Sequence, residues 1–145
     1  MTIEIKHAET DADVARLFAV IRELRPHLED AGDLIERVAR QRGQGYQLIY
    51  AENESGEPVA CAGFRLGDYL ALGSALYVDD LICLEDYRGL GYAKALMRWM
   101  EQFARDEGCD TFHLDSGTHR QRAHHFYFRE GLSITSFHFV KALEA

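Results

Sequence analysis

Apolar side chains recur along this chain with two different periods, and the changes of period mark its elements. From Thr2 to His7 polar and apolar residues alternate, the pattern of a half-buried strand. Val14, Leu17, Phe18, Ile21 and Leu24 then recur at helical spacing behind Thr10 or Asp11 as a cap, and Pro26 stops the run. Leu34, Ile35 and Val38 predict a second helix from about Glu29 to Arg42, closed by Gly43 and Gly45. Tyr46–Glu52 and Pro58–Leu66 read as two strands joined by Asn53-Glu54-Ser55-Gly56-Glu57, which has hairpin chemistry. Gly67–Ser74 makes the next connection and Ala75–Leu84 the next strand. Leu90, Ala93, Leu96, Met97, Met100, Phe103 and Ala104 mark a long helix that Gly108 ends. Thr111–Asp115 predicts a short strand, His119–Glu130 a helix ended by Gly131, and Ser133–Leu143 a final strand.

The order β-α-α-β-β-β-α-β-α-β implies an α/β (α+β layered) sheet with helices on both faces. At 145 residues the chain suits one domain, 1–145, without repeat or linker. No apolar run approaches the roughly 20 residues that span a bilayer, and the alternating start is unlike a signal peptide. Cys61, Cys83 and Cys109 are odd in number and lie in apolar surroundings, as free thiols in a reducing cytoplasm do. A formal net charge of −8 argues against nucleic acid as a partner.

The candidate chemistry starts at Arg88-Gly89-Leu90-Gly91-Tyr92-Ala93-Lys94, between an apolar strand and the long helix. The first turn of a helix carries unpaired N–H donors and the positive end of the dipole. Glycines let a phosphate approach the main chain, and Arg88 adds a fixed charge. A tight turn that needs glycine only for its backbone angles is the simpler alternative. The dinucleotide pattern fails, because Lys94 stands where a third glycine would be needed, and no Gly-Lys-Ser/Thr ends a P-loop.

Arg88-x-x-Gly91-x-Ala93 resembles the Gln/Arg-x-x-Gly-x-Gly/Ala signature of the GNAT superfamily of N-acetyltransferases. Leu81-Ile82-Cys83-Leu84-Glu85-Asp86-Tyr87 looks like that family's fourth strand running into its loop. Ala123-x-x-Phe126-Tyr127-x-x-x-Gly131-Leu132 looks like its last helix. The likeness is strongest over Leu76–Leu143. It implies a mixed, mostly antiparallel sheet and acetyl-CoA as the donor. The main chain of Leu81, Ile82 and Cys83 would bond the pantetheine arm, and Arg88, Gly89, Leu90, Gly91, Tyr92, Ala93 and Lys94 the pyrophosphate.

The resemblance also assigns roles. Tyr127 stands at the general-acid position, where a phenol protonated at neutral pH can protonate the departing thiolate. Its alternative is to pack as one half of a pair with Phe126. Asp80 stands where relatives often carry glutamate, to deprotonate the amine or only to orient a cation. Cys83 as a nucleophile lacks a histidine partner and reads as a core thiol. His113, His119, His124 and His125 with Asp115 suggest a metal or acceptor patch, of which chance spacing is the simpler account, so no metal is assigned.

Arg120–Gly131 is similar to bacterial aminoalkylphosphonate N-acetyltransferases. That implies a small free amine as acceptor, with Arg120, Arg122 or Arg65 able to pair with an anionic group on it. Protein N-termini, lysines, polyamines and aminoglycosides stay open as acceptors. The resemblance further implies a homodimer with the final strand as a contact. A non-catalytic acetyl-CoA-binding sensor on the same fold is the alternative from another class.

Overall fold

The hairpin expected between Tyr46 and Leu66 forms the middle of a five-stranded sheet. In the computed structural model, which describes residues 2–144, the strands lie in chain order: β1 (Lys6–His7), β2 (Gln47–Glu52), β3 (Pro58–Tyr69), β4 (Gly73–Cys83) and β5 (Thr111–Leu114). The first three pairings are antiparallel. β1 is shorter than the alternation from Thr2 suggests. The irregularity at Ala51/Glu52 falls where Ile5 and Glu4 would pair, so the ladder holds only Lys6 opposite Tyr50 and His7 opposite Ile49.

The first expected helix is two, α1 (Asp11–Arg16) and α2 (Phe18–Leu24), meeting at Leu17. Leu17 keeps a right-handed backbone, φ −85° and ψ −6°, but its N–H turns to Val14 O. This tightened turn preserves the apolar stripe across the break. Thr10 is the cap: its Oγ1 accepts from Asp13 N, and Asp13 Oδ2 accepts from Thr10 N, both at 3.1 Å. Asp30 caps α3 (Ala31–Arg42) through Oδ1, which accepts from Asp33 N at 2.8 Å. α4 (Tyr92–Asp106) follows a short 3-10 turn at Glu85–Tyr87.

The sheet buries both faces because its strands alternate between two helical layers. Leu48, Tyr50, Cys61 and Ile82 pack with Val14, Leu17, Val20, Ile21, Leu34 and Val38 from α1, α2 and α3. Phe64 lies on the opposite face, 6.0 Å from Trp99 and 5.4 Å from Phe103 of α4, centroid to centroid. Helices on both faces, as expected, therefore come from strand parity.

The chain forms two compact units, one running to His113 and one from Leu114. The second holds α5 (Gln121–Arg129). The strand expected over Ser133–Leu143 does not form; those residues have no regular structure. Alternation makes a segment able to pair, but a strand exists only where an edge receives its N–H and C=O groups. Ile134, Phe137, Phe139, Val140 and Leu143 are instead exposed.

Candidate active site

The site begins with one extra residue in β4. Gly63 pairs with Asp80 and Phe64 with Val78, so Asp79 has no opposite number and forms a bulge. Bulges re-aim side chains, and here two successive carboxylates meet arginines. Arg65 Nε donates to Asp79 Oδ2 at 3.0 Å, and Arg65 Nη1 donates to Gln44 Oε1 at 3.1 Å. Arg25, just past the end of α2, reaches Asp80 Oδ1 through Nε at 3.0 Å and Nη2 at 2.9 Å. The same Nη2 donates to the Asp79 carbonyl at 3.0 Å. Burial pushes the Asp79 carboxyl above its ordinary value, against the pull of Arg65.

The other oxygen of Asp80 belongs to Tyr46, whose hydroxyl donates to Oδ2 at 2.8 Å. Burial foremost, then the charge of Asp80, raises the Tyr46 phenol well above its usual value. It therefore stays protonated and acts as donor. A carboxylate held on both oxygens is poorly placed to take a proton from an amine, so positioning is the role this geometry favours. Tyr46, Gly63 and Arg25 were not singled out from the sequence. Tyr46 begins an apolar strand and looks like core. The one usable signal was Gly63, a lone glycine within a strand, which marks a close approach.

Beyond Asp80, β4 continues through Leu81, Ile82 and Cys83, paired to Ala62, Cys61 and Ala60 of β3. On the other side β5 starts level with the beginning of β4: Asp110 N donates to Ser74 O at 2.7 Å, and the His113 and Tyr77 rings lie 4.9 Å apart. The two contacts advance together, so β5 runs parallel to β4. It stops at Leu114, level with Val78 on that count, and leaves Leu81–Cys83 beyond its end.

The chain then turns into α4. Arg88 Nε donates to Cys83 O at 3.1 Å, fastening the turn to the strand end. Gly89 and Gly91 have φ +78° and +96°, which side chains disfavour. Gly91 is the N-cap of α4 and offers no side-chain bond to the amides of the first turn. Among the described residues, a Cβ at Gly89 would meet nothing within 4 Å, and one at Gly91 only Ile3 Cδ1 at 3.7 Å. The turn is thus an open cradle of N–H groups at a positive helix end, suited to a pyrophosphate.

Residues 13–131 match the acetyltransferase (GNAT) family. The chain belongs to that family. It is accordingly an acyltransferase of the GNAT N-acetyltransferase type that uses acetyl-CoA. The chain is 28% identical to the aminoalkylphosphonate N-acetyltransferase of Salmonella typhimurium, over 97% of this chain and 91% of that relative. It superposes with a TM-score of 0.82 on AAC(6')-Iy in complex with the bisubstrate analogue CoA-S-monomethyl-acetylneamine, at 14% identity over 100% of both chains. A second solved structure, the aminoglycoside antibiotic 6'-N-acetyltransferase AAC(6')-Ih from Acinetobacter baumannii, gives 0.80 at 17% identity, over 99% of this chain and 100% of that one. At such identities the two structures speak for the fold.

In the second unit of this GNAT chain, Tyr127 lies on α5 and is 9% exposed. Burial raises its phenol, while the charge and a hydrogen bond of Arg120 pull the other way. Its ring also meets Phe126 edge-on at 5.6 Å, so the packing role is present too. Burial likewise raises the Cys83 thiol, with Arg88 opposing, which leaves it a poor nucleophile. Asp115 lies past the end of β5 and contacts His138 at 3.6 Å. Among the described residues no group of three histidines, cysteines or carboxylates could hold a metal. No described helix is long and apolar enough to cross a membrane.

Proposed function

We propose that the chain transfers the acetyl group of acetyl-CoA directly to the primary amine of a small molecule in a ternary complex. The observation that carries this is the continuity of β4 with the α4 turn. Leu81–Cys83 extend past β5 and lead through the Glu85–Tyr87 turn to an open N–H cradle. An extended thiol arm can pair along that edge while its pyrophosphate rests on the amides of Gly89–Lys94.

Within this reading Asp80 orients the ammonium, which gives one proton to solvent water before its lone pair forms the new C–N bond. As the C–S bond breaks, Tyr127 gives its phenolic proton to the departing thiolate. Its raised pKa keeps that proton available at neutral pH. The likeness to an aminoalkylphosphonate N-acetyltransferase supports a small amine over a protein chain. The three free cysteines support a cytoplasmic setting. The exposed apolar residues of 134–143 support a homodimer built on that segment.

The test is thiol release from acetyl-CoA over a panel of small primary amines. Turnover of at least one is expected. Binding of CoA without turnover of any would favour the sensor reading.

A further inference from the structure

We propose that Arg25 sits in the seat of the acceptor's ammonium on Asp80, and that a primary amine enters by displacing it. The inference rests on the acceptor role assigned to Asp80 above.

The two oxygens of Asp80 are held very differently. Oδ2 takes its bond from Tyr46, a buried phenol (5% exposed) lying across Gly63. That side cannot open without repacking the sheet. Oδ1 takes its bonds from Arg25, whose side chain is 43% exposed against 15% for Asp80. The exposed partner is the one that can leave.

Its backbone can stay behind while the side chain swings. Arg25 N donates to Ile21 O at 2.8 Å, and Arg25 O accepts from Leu28 N at 3.2 Å. Those bonds anchor the connection between α2 and α3. The chain on either side of Arg25 lines a hollow of about 350 Å³, formed by Phe18, Arg22, Glu23, Pro26, Leu28 and Glu29.

The exchange is energetically cheap for a physical reason. Opening an unpaired, half-buried carboxylate would be expensive, whereas replacing one cation by another on the same oxygen keeps the pair intact. An ion pair with one exposed partner adds little to stability, so its exchange is within reach of a binding amine. The seat selects for a compact ammonium with N–H donors, and so for primary amines that arrive protonated.

The experiment follows the Arg25 Nε–H signal by NMR in the full-length chain, assigned by its loss in Arg25→Met. Titration with n-butylammonium chloride should move it saturably toward the position it holds in Asp80→Asn. Tetramethylammonium chloride, which has no N–H, should leave it in place. A signal that stays put, or moves equally with both salts, overturns the proposal. In kinetics, Arg25→Met should lower the KM of an amine that the chain acetylates by about threefold to tenfold, with the acetyl-CoA KM unchanged. Arg25→Lys should keep the original value. A higher or unaltered amine KM in a folded Arg25→Met chain overturns the proposal. If no amine is turned over, the small-amine reading fails, and the titration alone decides this one.

Discussion

Tyr46 reaches Asp80 because residue 63 has no side chain. A Cβ on Gly63 would lie 1.7 Å from the Tyr46 hydroxyl oxygen. The glycine, the phenol and the carboxylate therefore act together, and a change at any of them disturbs how Asp80 is aimed.

Gly63→Ala should expel the Tyr46 ring from its place. Overpacking of this kind destabilises by about 1–3 kcal/mol, read as a lower urea midpoint with an unchanged m-value. The amine KM should rise while acetyl-CoA binding is retained.

Tyr46→Phe separates aim from packing. The ring stays and only the bond to Asp80 Oδ2 is lost, which should destabilise by about 1–2 kcal/mol. A several-fold rise in amine KM should accompany it, with little change in the KM of acetyl-CoA.

Much of this was legible in the sequence. The two periods placed the hairpin, β4 and the helices apart from the break at Leu17, and Gly89 and Gly91 marked the turn into α4, because each is a local pattern. The Tyr46–Gly63–Asp80–Arg25 cluster was not legible. Its members lie 17 to 55 positions from one another and meet only through strand register and the Asp79 bulge. The segment 133–143 misled for the opposite reason: its alternation is local, but a strand needs a partner edge that alternation does not supply.

Tyr127→Phe tests the acid. Loss of a positioned general acid should lower kcat by about 100-fold to 10,000-fold, with acetyl-CoA affinity retained. Since the phenol's pKa is raised, the wild-type kcat should hold through the alkaline range and decline only above the ordinary tyrosine value of about 10. An unchanged kcat in the variant, with chemistry rate-limiting, removes Tyr127 from the mechanism.

Acid stability should depend on Glu52, which joins Lys6 of β1 and Arg16 of α1 to β2. Hydrogen bonds from Lys6 and then Arg16 lower its pKa in the fold. A lowered carboxylate stabilises fully above the unfolded value, near 4.3, and that contribution is lost as pH falls through the folded value. Urea midpoints between pH 6 and 2 should fall more steeply for the wild type than for Glu52→Gln.

The most direct measurement is calorimetric titration of the full-length chain and of Gly91→Val with acetyl-CoA. A β-branched residue at φ +96° must distort the start of α4 and so spoil the donor cradle. One saturable site in the wild type, weakened at least about tenfold in a variant that keeps its helical circular dichroism, is the predicted result (about 1.4 kcal/mol or more). Equal affinity in the two chains would contradict the assignment of the donor's pyrophosphate to this turn.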